Sequence, residues 1–133
     1  MGKYRYALQL YTVRDHMEKD VPGTLDKVCA AGYQYVEVAG TYGLPWASFQ
    51  KALAKANLKA CGAHMGYEEI TQNPRAAIDV AQALQIRYII IPCIDQKFTA
   101  NRQGWIDCAK AMSAAGKILR EAGIKLCYHN HAH

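Results

Sequence analysis

Apolar positions along the chain switch between two periods. Stretches rich in β-branched and aromatic residues read as strands, and stretches with apolar residues three and four apart read as helices. "YALQLYTV" (residues 6–13) predicts the first strand. Asp20 and Pro22 then signal a helix start, with Val21, Leu25 and Val28 on one face and a stop at Gly32. "YQYVEVAG" (residues 33–40) predicts the second strand. Pro45 opens the next helix, with Trp46, Phe49, Leu53 and Ala56 as its apolar stripe and Asn57 at its end. "LKACGAHMG" (residues 58–66) predicts the third strand. Asn73 and Pro74 cap a helix whose Ala77, Ile78, Ala81 and Leu84 face inward. "RYIIIPCID" (residues 87–95) is almost continuously apolar, as a parallel strand covered on both faces should be. A long helix follows over residues 101–122, with Trp105, Cys108, Met112, Ala115 and Leu119 inward and Gly123 as its stop. "IKLCYHNHAH" (residues 124–133) predicts a fifth strand.

The order is (βα)₄β. Such alternation demands a parallel sheet with right-handed crossovers. An open doubly wound sheet and part of a (β/α)₈ barrel both satisfy it. A complete barrel takes about 250 residues, and this chain has 133. It has the length of one domain, residues 1–133.

Side chains alternate across a strand, so each strand has a face for the helices and a face for a lumen. Gln9 and Tyr11 share one face of the first strand, opposite Leu8 and Leu10. Glu37 opposes Val36 and Val38, Gly62 shares a face with His64, and His129, His131 and His133 share one with Cys127. In a barrel, Gln9, Tyr11, Glu37, His64, His129 and His131 therefore come to the carboxyl-terminal mouth, where barrel active sites are built. A buried carboxylate such as Glu37 needs a cation, a donor or a substrate hydroxyl. The His-x-His pair can share a metal or an oxyanion. A metal site takes three or four ligands, however, and the fifth strand offers no third. No metal ligand is assigned from spacing.

The remaining chemistry narrows the field. No Gly-x-Gly-x-x-Gly follows the first strand, and there is neither a Walker A loop nor a Gly-x-Ser-x-Gly elbow. The open-sheet reading thus lacks its usual phosphate cradle. The net charge of +5 comes from scattered Lys and Arg, a pattern that suits solvated helix faces and small anions rather than nucleic acid. The five cysteines form no Cys-x-x-Cys pair, which predicts reduced, packed thiols. No run approaches the about 18 apolar residues that cross a bilayer, so no membrane partner is expected. The first residues lack a signal-peptide core, and the expected location is the cytoplasm.

"LQLYTVRD", "VEVAG", "GAHMG", "IPCID" and "GIKLCYHNH", in this order and at natural spacing, resemble the sugar phosphate isomerase/epimerase family of the xylose-isomerase-like TIM barrel superfamily. The resemblance covers the whole chain. It implies a (β/α)₈ barrel that uses a divalent cation (Mn, Mg, Co or Zn) and moves a proton next to a carbonyl through an enediolate. It places Gln9 and Tyr11 in the family's first-strand motif and Glu37, His64, His129 and His131 along its pocket. His129 and His131 are the expected catalytic residues; Gln9, Tyr11, Glu37 and His64 are the expected substrate-binding ones.

Family members continue for about 120 residues beyond the fifth strand, and most of their metal ligands lie there. The chain is therefore expected to be an N-terminal half-barrel, truncated after strand five, without a complete metal site of its own and inactive alone, whose partner is a small sugar or sugar phosphate. Its two strand edges predict a homodimer. An apurinic-endonuclease-like barrel and a non-catalytic assembly module are the alternatives.

Overall fold

The structure, a computed structural model, describes residues 5–131. Five parallel strands lie side by side in sequence order: β1 (Ala7–Gln9), β2 (Tyr35–Val38), β3 (Lys59–His64), β4 (Tyr88–Ile91) and β5 (Lys125–Tyr128). Sequential neighbours throughout mean that every crossover steps in the same direction, which is how a barrel wall is laid down. An open doubly wound sheet would reverse at a switch point. The chain is thus an α/β fold matching part of a TIM barrel.

The helices between strands follow the predicted stripes. Helix α2 (Val21–Ala30) begins at Asp20, whose carboxylate accepts a bond of 3.0 Å from the Gly23 N–H. It ends at Gly32, whose φ of +96° a residue with a side chain would resist. Helix α3 (Trp46–Lys55) buries Phe49 and Leu53, and α5 (Pro74–Leu84) buries Ala77, Ile78, Ala81 and Leu84. The 20-residue α7 (Arg102–Glu121) buries Cys108, Ala115 and Leu119. These side chains meet Val36, Val38, Ile89 and Ile91 from the sheet in one core cluster.

Four expectations need correction. The first strand stops at Gln9. Leu10–Val13 forms a 3₁₀ helix and Arg14–Met17 a turn of α-helix, α1. Leu10, Val13 and Met17 are spaced for a helix, and Leu10 and Met17 are fully buried; burying them beats the strand propensity of "LYTV". Second, two short helices, α4 (Tyr67–Gln72) and α6 (Gln96–Thr99), occupy what read as loops. Third, Trp105 is 45% exposed rather than inward and meets Tyr128 edge-on. Cys93 is likewise exposed rather than packed. Fourth, β5 ends at Tyr128, so His129 and His131 follow the strand. His133 lies outside the described residues.

The caps give a direct comparison. The Asn73 side chain makes no capping bond at α5, unlike Asp20 at α2. Asp20→Ala should lower the unfolding free energy by about 1 kcal/mol, whereas Asn73→Ala should leave it unchanged within a few tenths. Urea unfolding of the two variants checks this.

Among the described residues, no helix is long and apolar enough to cross a membrane.

Candidate active site at the strand ends

The site starts from register. Gln9 pairs with Glu37 across β1 and β2, at the last position of the short first strand. Between β2 and β3 the register slips: Val36 pairs with Ala60 but Glu37 with Gly62. Cys61 is the extra residue of a β-bulge, a device that re-aims side chains beside active sites. The β3–β4 ladder carries on past His64 through a bond of 3.0 Å from the Met65 N–H to the Ile90 carbonyl. The β4–β5 ladder does the same through the His129 N–H, which donates to the Ile91 carbonyl at 3.0 Å. His64 and His129 are therefore anchored by backbone although each stands at or beyond a strand end.

This register brings three side chains together. Glu37 Oε1 accepts 2.8 Å bonds from Gln9 Nε2 and from His64 Nε2. The rings of His64 and His129 meet edge to face with centroids 5.9 Å apart. One ligand atom from each of Glu37, His64 and His129 lies within 4.8 Å of the others. His131 stacks on His129 at 4.7 Å between centroids, with the rings 13° from parallel. All three triad residues are half-buried.

The electrostatics follow from the same contacts. The hydrogen bond from His64 holds the Glu37 carboxyl below its usual range; burial opposes the shift, and the Gln9 bond and the charges of His64 and His129 add to it. Glu37 is thereby kept as a carboxylate at neutral pH. Burial, and secondarily the charge of Glu37, pushes the Cys61 thiol up, so Cys61 stays protonated and is not poised as a nucleophile. Gln9, Glu37, Cys61, Gly62, Cys127 and His129 line an open cavity of about 520 Å³. Gly62 packs closely here: a Cβ on it would come within 2.7 Å of the Ile90 Cδ1, and that side-chain end would have to move aside.

Of the residues expected from sequence, Gln9, Glu37, His64 and His129 share this mouth, and His131 borders it. Tyr11 does not join them by strand parity, because it lies in the 3₁₀ helix. It is 55% exposed, and the Arg14 guanidinium sits 4.4 Å above its ring. Cys61 was not foreseen as a lining residue, since nothing in "KACGAH" marks a bulge. The metal-capable trio was not foreseen either: of the His-x-His pair only His129 belongs to it, and the other two ligands come from β2 and β3.

No protein-family profile matches the chain. An inosose dehydratase of Clostridium botulinum is 23% identical over 127 residues, covering 80% of this chain and 43% of that protein. The crystal structure of a sugar phosphate isomerase/epimerase from Parabacteroides distasonis superposes with a TM-score of 0.81 at 20% identity, covering 98% of this chain and 52% of that one. An AP endonuclease of family 2 from Brucella melitensis gives a TM-score of 0.68 at 20% identity, over 93% of this chain and 54% of that one. The chain spans about half the length of these relatives. Its five parallel strands give it the fold of about half of the barrel in these solved structures, the partial TIM barrel expected of it.

Proposed function

We propose that the chain is the amino-terminal part, residues 1–133, of a divalent-cation-dependent enzyme of the sugar isomerase, epimerase or dehydratase kind. Its reaction is proton transfer next to a carbonyl by way of an enediolate. The observation that carries this reading is the convergence of Gln9, Glu37 and His64 from three strands, and of His129 from just after a fourth, on one mouth. A bound cation would polarise the carbonyl and its neighbouring hydroxyl. Glu37 and His64 form the polar floor on which the oxygen-bearing end of the substrate rests, directly or through the cation. Gln9 is a positioning residue that fixes the carboxylate. His129 and His131 are the catalytic histidines, and the exposed His131 is the one placed to exchange a proton with solvent. Tyr11 belongs to the rim.

The relatives are about twice as long, and on this reading the strands they add complete the pocket, so the 133 residues alone are inactive. A small polyol or sugar, phosphorylated or not, is the substrate class. The scattered cations favour it over nucleic acid, and the cytoplasm is the proposed location. The test is turnover of a panel of ketoses, sugar phosphates and ketocyclitols by the polypeptide purified from its native source, with and without Mn²⁺. Cation-dependent conversion of any of them supports the reading; none across the panel overturns it.

Among the described residues, β1 pairs only with β2 and β5 only with β4. Two open parallel edges, one of them carrying exposed Tyr128, are a pairing liability. We propose that the isolated chain covers them by forming a two-fold homodimer. Light scattering at micromolar concentration should give twice the 14.8 kDa chain mass; a monomer would contradict this.

A further inference from the structure

The three converging side chains come from β2, β3 and the residue after β5, so the fold itself assembles the set from parts distant in sequence. Two are imidazoles and one is a carboxylate. This is the donor composition of three-ligand sites that keep a position open for water or substrate. It is a poor match for Mg²⁺, which prefers oxygen donors in octahedral array, and a good one for Zn²⁺ or Co²⁺.

We propose that Glu37, His64 and His129, without any residue from outside this chain, hold a single transition-metal ion of the zinc or cobalt type. The distances permit it. Ligand atoms around a tetrahedral ion stand about 3.4 Å apart for metal–ligand bonds near 2.1 Å. Glu37 Oε1 and His64 Nε2 are now at 2.8 Å, and no pair among the three ligand atoms exceeds 4.8 Å. The contact between Glu37 and His64 has to open by about 0.6 Å to reach that spacing. The ring nitrogen that binds must carry no proton, so the bond from His64 to Glu37 gives way as the ion enters. Gln9 stays on Glu37 Oε1 and orients the carboxylate, the supporting role that metal ligands regularly need. His131, stacked on His129, keeps that ring from turning away. The site does not depend on the sugar chemistry proposed above; with His129 on the ion, the proton-moving role there falls to His131.

Titration of the reduced 133-residue chain with Co²⁺ tests this by visible absorption. The expected result is one Co²⁺ per chain, with the intense ligand-field bands of a low-coordinate site. Zn²⁺ should displace it and an equal concentration of Mg²⁺ should not. Gln9→Ala should weaken binding by about 10-fold or more. Glu37→Gln and His129→Ala, each shown to fold by circular dichroism, should weaken it further than Gln9→Ala. His16→Ala, on exposed α1, should change nothing. Absence of the bands overturns the proposal while leaving the turnover test of the sugar reading untouched. Bands that survive in both ligand variants also overturn it, as does sulfur-to-cobalt charge transfer, which would place the ion on a cysteine.

Discussion

Phe49→Ala should remove about 3–5 kcal/mol of stability, the cost of emptying a large aromatic site in a packed core. Phe49 has no exposed surface and lies in the same buried cluster as Leu25, Val36 and Leu53. It lies on α3, which packs against α2 and β3. A domain of this kind has only about 5–15 kcal/mol in total, so the variant should be largely unfolded well below the wild-type urea midpoint. Equilibrium denaturation followed by circular dichroism measures it. A loss under about 1 kcal/mol would mean that α3 does not pack as described.

Glu37→Ala should lower kcat/KM of the whole polypeptide by at least about 100-fold, the scale of losing one charged group at a reacting centre. The effect should fall on KM as well as kcat, because Glu37 holds the oxygen-bearing end of the substrate, directly or through the cation, before and during reaction. The substitution also strips the partner from His64 Nε2 and Gln9 Nε2 at once. Leaving such half-buried donors unmatched costs about 1–3 kcal/mol. Glu37→Gln separates the two effects, since it keeps the shape while removing the charge. It should lose as much activity and less stability. Steady-state kinetics on the two variants, beside their unfolding curves, distinguish these contributions.

Much of this was legible in the chain. The stripe Phe49, Leu53, Ala56 has a helical period, and "YIII" is a short, β-branched apolar run closed by a proline, so helices and strands of ordinary length were recovered in order. What escaped was set by contacts between distant segments. "LYTV" has the composition of a strand, and only the burial of Leu10 with Met17 turns it into a 3₁₀ helix. Helices α4 and α6 have six and four residues, too few for a period to show. Parity placed Gln9, Glu37, His64 and His129 on a common face. It could not show that Glu37 and His64, 27 residues apart, would bond, because that depends on a register shift at Cys61 with no local signature. Tyr11 shows the reverse failure, since parity applied to a strand that had already ended.

The central claim is that the mouth formed by Gln9, Glu37, His64 and His129 moves a proton beside a carbonyl. The direct measurement is loss of that proton's NMR signal when the whole polypeptide, a divalent cation and a ketose or ketocyclitol are held in D₂O. Exchange by the wild type, and its collapse in Glu37→Ala while His16→Ala exchanges normally, is the result this structure predicts. Exchange undiminished in Glu37→Ala would contradict it.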